Sequence, residues 1–249
     1  MNEKHRDTIY ARPRNVVGGF EFDESVAAVF PNMILRSVPG YASIVSNVGV
    51  IAGYYALPDS NCYDLGCSLG AATLSMRHQI VVPNCRIVAV DNAEAMVNRC
   101  RANIEDDEST VPVDVHCADL RPGEPTCVTI ERASFVVLNF TLQFIPVEQR
   151  EQLLKTIFDG MLPGSALVVS EKIAFADANE QQLQTDLHLA FKRANGYSDL
   201  EISQKRAALE NVLVPETIET HAARFKAVGF ASSHVWFQAL NFVSMLAVK

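Results

Sequence analysis

Asp64, Gly66, Ser68 and Gly70 form the spaced set in this chain best suited to chemistry. The apolar run before them and the helix-forming run after them read as strand, tight turn, helix. The two glycines permit backbone angles and a close ligand approach that a side chain would block. Asp64 can accept hydrogen bonds from a ligand amine. The following helix should point free N–H groups and its positive dipole end at the turn, which suits a carboxylate or phosphate. Asp91 comes about 20 residues later, at the end of a second apolar run, where an acid can hold ribose hydroxyls. It can equally cap a helix beginning at Ala93. Asn92 would lie beside the same ligand. Asp119 ends a third run and suits a base amino group, although Asp-Leu-Arg-Pro is also an ordinary turn. Asn139 ends a fourth, and reads either as a crevice residue or as a satisfied buried amide. Tyr41, next to Gly40, is either a ligand wall or core. Arg193 and Arg206 could each grip a carboxylate with two prongs, or simply belong to a solvated helix face with local ion pairs.

These residues need a scaffold, and the chain alternates to supply one. Strands are predicted at 61–65, 86–91, 111–117, 133–139 and 165–171. Helices fall between them at 71 to about 80, 93 to about 104, and 147–161, the last stopped by Pro163-Gly164. The near-continuous apolar run at 133–139 is typical of a strand covered on both faces. The alternation implies a parallel sheet with right-handed crossovers. Ahead of it lie an irregular arm with Arg12-Pro13-Arg14 and Gly18-Gly19, an amphipathic stretch from 22 to 36 that Pro31 should split into two short helices, and a helix from 41 to about 56. This region is expected to cover the crevice as a lid. Residues 177–210 are polar and helix-rich and interrupt the alternation. A helix from 216 to about 228 and a hairpin, 234–239 and 242–248 with its turn at Leu240-Asn241, close the chain.

The chain has 249 residues, a net charge of −8 and six cysteines. Proteins that grip nucleic acid usually carry a basic stripe. The only locally basic segment, Phe191-Lys192-Arg193 through Lys205-Arg206, is diluted by Asp199, Glu201 and Glu210, so no direct nucleic acid binding is expected. Cys62, Cys67, Cys85, Cys100, Cys117 and Cys127 show no C-x-x-C spacing and no accompanying His cluster, which argues against a metal and for reduced packing thiols. No apolar run approaches the roughly 18 residues needed to span a bilayer. The charged first residues lack a signal-peptide core. A cytoplasmic protein with no membrane partner is the expectation.

Asp-x-Gly-x-Ser-x-Gly does not spell G-x-G-x-x-G; it resembles the first motif of Rossmann-like S-adenosyl-L-methionine (SAM) enzymes, whose folds also end in a helix and hairpin. More specifically, five segments resemble the carboxy-SAM synthases. They are Phe30-Pro31 with Arg36-Ser37-Val38-Pro39-Gly40-Tyr41, residues 63–75, residues 137–144, Phe191-Lys192-Arg193-Ala194-Asn195-Gly196-Tyr197-Ser198, and Leu200-Glu201-Ile202-Ser203-Gln204-Lys205-Arg206. The resemblance runs from about residue 20 to the end; the arm before it and the acidic loop at 105–108 match less well. It implies an α/β, Rossmann-like class I SAM-dependent methyltransferase fold. That fold is one domain over 1–249, with a mostly parallel seven-stranded sheet, a C-terminal antiparallel hairpin, an N-terminal arm and helical lid over 1–58 and a helical insertion over 177–210. It implies that SAM is a substrate, that prephenate donates a carboxyl group and becomes phenylpyruvate, and that the carboxymethyl product serves a separate enzyme acting on tRNA wobble uridine. It also implies a homodimer. Carried over residue by residue, Tyr41, Gly66, Cys67, Ser68, Asp91, Asn92, Asp119, Leu120 and Asn139 contact the SAM portion. Arg206, the candidate catalytic residue, holds the added carboxylate. The alternative is a small-molecule SAM-dependent methyltransferase. Absence of an Asn-Pro-Pro-Tyr type signature after Leu138, and of a Pro-Cys pair, argues against methylation of a nucleobase.

Overall fold

The computed structural model describes residues 6–13, 19–121, 123–124, 128–209 and 212–249. Its strands are β1 (Asn61–Leu65), β2 (Arg86–Asp91), β3 (Val113–Cys117), β4 (Ala133–Asn139), β5 (Met161–Lys172), β6 (Ser232–Ala239) and β7 (Phe242–Val248). They form one sheet in the order β3-β2-β1-β4-β5-β7-β6. β1 to β5 are parallel, and β7 runs antiparallel between β5 and β6. The order reverses between β1 and β4, so their carboxyl ends open a crevice at a topological switch point.

Period-two alternation sends strand residues to two cores. Tyr63, Leu65, Val90, Val136 and Leu138 pack on one face with Leu154 and Ile157 of α5 (Val147–Gly160) and Phe225 of α8 (Ile218–Val228). Cys62, Ile87, Phe135 and Val137 pack on the other with Ile44 and Val48 of α2 (Tyr41–Tyr55) and Met76 of α3 (Ala71–Arg77). Each large side chain fully buried this way contributes about 1.5–3 kcal/mol, which fixes the strand ends on which the crevice depends.

A third core joins the N-terminal segment to the helices above the sheet. Tyr10, Phe20, and Val26, Ala27 and Met33 of α1 (Glu24–Ser37) pack with Met96 of α4 (Glu94–Glu105) and Ala208 of α7 (Asp199–Leu209). α6 (Ala178–Ala194) and α7 make up the insertion. The break expected at Pro31 does not occur, because α1 runs through it. Proline removes one backbone hydrogen bond, but the apolar residues buried on both sides of it hold the helix to this core, and Asp23 caps its start by accepting from the Val26 N–H at 2.9 Å. The end of α5 also differs from expectation. The helix stops at Gly160, and Met161 already pairs with Ala133; Pro163-Gly164 falls in the irregularity before Phe135 pairs with Ala166. A bulge tolerates proline because no ladder N–H is required there.

Cys62, Cys67, Cys85 and Cys100 are buried free thiols, as expected of packing residues. Cys117 is exposed, at the end of the edge strand β3. Cys127, Arg14, Gly18 and Glu210 lie outside the described residues. Among the described residues no single helix is long and apolar enough to cross a membrane.

Candidate active site

The strand ends, α1 and the two insertion helices enclose a cavity of about 730 Å³. Its floor follows the sheet order. Asp119 follows β3, Asp91 ends β2, Asp64 lies near the end of β1, Asn139 ends β4, and Lys172 ends β5; all five line the cavity. The acids therefore occupy the β1-β2-β3 side and the first cation the β5 side.

The acidic side is tightly built. Gly66 (φ 86°) and Gly70 (φ 84°) hold the turn in the left-handed region, where a side chain is strained. The protein itself also requires a glycine at 66, since a Cβ there would sit 2.1 Å from Thr141 Oγ1. The N–H groups of the turn itself, ahead of the first residue of α3, are already engaged. Gly66 and Cys67 both donate to the Val90 carbonyl, at 2.7 and 2.9 Å, and Ser68 N–H donates to Asp91 at 2.9 Å. These bonds fasten the turn to β2, so those three N–H groups are not offered to an anion.

Asp91 is not the cap of a helix beginning at Ala93, because α4 starts at Glu94 with Ala93 itself at the N-cap and no side-chain cap bond. One oxygen accepts from Ser68 N–H and the other from Ala93 N–H at 2.9 Å, beside the start of α4, and the carboxylate lines the cavity. Its lone pairs are not exhausted by two bonds. Burial raises its pKa above the ordinary carboxylate value despite those donors. Asp64 is fully buried, with one oxygen accepting from Thr73 Oγ at 2.6 Å and the other unpartnered. Burial pushes it up to about 6. Asn139 likewise has a buried Oδ1 without a partner. Unsatisfied buried acceptors are costly, and two facing one cavity fit a ligand that brings N–H or O–H donors.

Asp119 combines the turn and crevice readings. Burial would raise its pKa, but the fork of Arg121, with Nη2 at 2.7 Å, outweighs that and lowers it. Asn92 Nδ2 reaches Asp119 at 3.5 Å, and Leu120 is buried against the same space. Tyr41 is at once wall and core: it lines the cavity and packs on Phe140, ring centroids 6.2 Å apart. Burial raises its phenol, with Asp64 adding to the shift. Cys67 and Ser68 complete the lining. Phe140, just after Asn139, holds φ 62°, an unusual conformation for a bulky residue.

The two candidate arginines separate. Arg193 is half exposed and paired with Asp199 at 2.8 Å, so it fits the solvated-face reading. Arg206 lines the cavity from α7. The structure therefore brings Tyr41, Gly66, Cys67, Ser68, Asp91, Asn92, Asp119, Leu120, Asn139 and Arg206 around one space. Among the described residues no group of three His, Cys, Asp or Glu is placed to hold a metal ion.

Sequence reasoning missed Lys172, His188, Lys192 and Lys205, which line the basic side. Two signals were available. Lys172 is a polar residue ending an apolar strand, by the same logic that singled out Asn139. Gln181, Thr185, His188 and Lys192 recur at helical spacing and line the cavity together, so this polar face of α6 points inward. His188 bonds the Ser37 carbonyl through Nε2 at 2.8 Å and is driven down to about 3, mainly by burial. Lys205 donates to Ser37 Oγ at 3.1 Å and lies 3.8 Å from Asp7.

Residues 63–164 match the methyltransferase domain family. A carboxy-S-adenosyl-L-methionine synthase of Trichlorobacter lovleyi is 56% identical over 247 residues, covering 99% of both chains. The protein of the same name from Shewanella sediminis is 54% identical over 98% of each chain. Among solved structures, a putative SAM-dependent methyltransferase of Methanococcus maripaludis aligns with a TM-score of 0.58 at 18% identity, covering 96% of this chain and 97% of its own. Human N-acetylserotonin methyltransferase, solved with SAM, aligns at 0.61 and 16% identity, over 91% of this chain and 55% of its own. These two likenesses speak for the fold alone.

Proposed function

The chain belongs to the carboxy-S-adenosyl-L-methionine synthase family of SAM-dependent transferases, and from that premise we propose that it moves a carboxyl group from prephenate to the methyl carbon of SAM. The products are carboxy-SAM and phenylpyruvate. The observation that carries the reading is Arg206, a guanidinium brought by the insertion into the cavity that Asp91, Asp119 and Asn139 line from the sheet.

SAM supplies a methyl carbon made acidic by the adjoining sulfonium. In this reading Asp91 and Asn92 accept from ribose hydroxyls, Asp119 and Leu120 flank the adenine, and Asp64 takes the amino group. Tyr41, Gly66, Cys67, Ser68 and Asn139 complete the nucleoside side. Arg206 neutralises the carboxylate as it is added, and this separates the product from SAM. The atoms balance without an external base: prephenate loses a carboxyl group and a ring hydroxide as it aromatises, and the hydroxide with the methyl proton gives water. The apolar lining from Phe22, Phe30 and Phe144 supports a site that keeps bulk water from the transfer.

The net charge of −8 supports a small-molecule enzyme whose product is used on tRNA wobble uridine by another protein. A cytoplasmic homodimer is part of the same reading. Incubation of the protein with SAM and prephenate should yield a nucleoside one carboxyl unit heavier than SAM, together with phenylpyruvate, by mass analysis. No phenylpyruvate above the uncatalysed background, with methyl transfer to a small acceptor instead, would replace this reading with that of a methyltransferase.

A further inference from the structure

We infer that Lys172 and Lys192, facing Arg206 across the basic side of the cavity, form the subsite that binds the carboxylates of the second substrate. The inference rests on the reading of prephenate, a dicarboxylate, as the carboxyl donor.

Three separate elements bring these cations together: the end of β5, the inward face of α6 and α7. Among the described residues, no hydrogen-bond or ion-pair partner occupies the side chain of Lys172, Lys192 or Arg206. Lys205 differs, because Asp7 and Ser37 face it. The cations feel one another: Lys205, Lys172 and Arg206 all disfavour the charge on Lys192, and Arg206 disfavours that on Lys172. Burial is the larger cause in both, and Lys192 is brought down to about 7. Lysine is almost never buried unless paired, and like charges gathered in a cavity destabilise the fold that holds them. In a chain with eight excess acids, acidic partners were available, yet Asp64, Asp91 and Asp119 all lie on the far side of the cavity. An anion from outside completes the site. One carboxylate on the nucleoside product accounts for Arg206 alone. Two further cations match a second molecule carrying two carboxylates, and each such ion pair would also lift the lysine that binds it back toward its charged form.

The test uses the wild-type protein, Lys172→Met, Lys192→Met and Lys192→Arg. Calorimetry measures prephenate binding to each protein loaded with S-adenosylhomocysteine, and steady-state assays give KM and kcat. The expected result is a tenfold or greater weakening of prephenate binding, and a matching rise in its KM, in both Met variants. S-adenosylhomocysteine affinity should stay within twofold, and Lys192→Arg should keep prephenate binding within threefold of wild type. Unchanged prephenate binding in both Met variants would overturn the subsite, as would equal losses for the nucleoside and prephenate. The binding arm does not depend on turnover. Lysine-dependent binding without carboxy-SAM formation would keep the subsite and refute the proposed reaction; carboxy-SAM formation with lysine-independent binding would do the reverse.

Discussion

On the acidic side of the cavity Asp91 and Asp119 are held by bonds from the chain itself, whereas on the basic side Lys172, Lys192 and Arg206 are left open. Asp91 accepts from two backbone N–H groups and Asp119 from the Arg121 fork. Lys172, Lys192 and Arg206 have no such partners among the described residues. The difference separates two jobs. Carboxylates fixed by the backbone form a rigid surface that reads hydroxyl and amino groups the same way each time. Open cations store an affinity that is realised only when an anion arrives, and they lower the stability of the protein until it does.

The largest effect should come from breaking the rigid side. Asp91→Ala removes the acceptor for Ser68 and Ala93 N–H, bonds to a charged group worth about 1.5–3 kcal/mol each. SAM affinity by calorimetry should fall by about 1.5–3 kcal/mol for the lost charged hydrogen bond to the ribose, with the loosened turn adding to the loss; an unchanged affinity would remove Asp91 from the nucleoside surface. Next comes Arg206→Ala, which should weaken carboxy-SAM by about 2 kcal/mol and leave SAM nearly unaffected. Equal losses would contradict its role.

The third test reads the stored cost of the basic side. An ordinary lysine keeps its proton up to about 10.5, but folded Lys192 gives it up near 7. Above 10.5 neither state holds the proton and nothing is lost. As pH falls from 10.5 toward 7 the unfolded chain binds a proton that the folded one does not, so stability falls. Lys192→Met should therefore stabilise the ligand-free protein by at least about 1 kcal/mol at pH 7, with the gain vanishing above pH 10.5. Denaturant midpoints across that range decide it, and a variant less stable than wild type at pH 7 would show that the charge has a partner. The smallest effect belongs to Arg193→Ala. Its exposed pair with Asp199 contributes within about 0.5 kcal/mol, and prephenate turnover should be unchanged. A large loss of turnover would erase the distinction from Arg206.

The acidic side was legible in the sequence because strand ends, glycine turns and acids at fixed intervals are local signals. Asp64, Asp91, Asp119 and Asn139 each follow an apolar run, and the sheet order then brings them together. The basic side was not, because charge on a helix reads as solvated until the helix is packed. Lys192 and Arg193 are neighbours in sequence, yet one lines the cavity and the other faces outward. Only the placement of α6 and α7 over the sheet decides between them. Pro31 misled for a related reason. Its local cost is readable from sequence, whereas the burial of Val26, Ala27 and Met33 that outweighs it is tertiary.

In the proposed reaction both substrates share one cavity, and the carboxyl group passes between them without reaching solvent. Prephenate carrying 13C in its ring carboxyl group, supplied with SAM in unlabelled bicarbonate buffer, tests it directly. Mass and NMR analysis should find the label undiluted in the carboxymethyl carbon of the product; unlabelled product, with the 13C in bicarbonate, would contradict it.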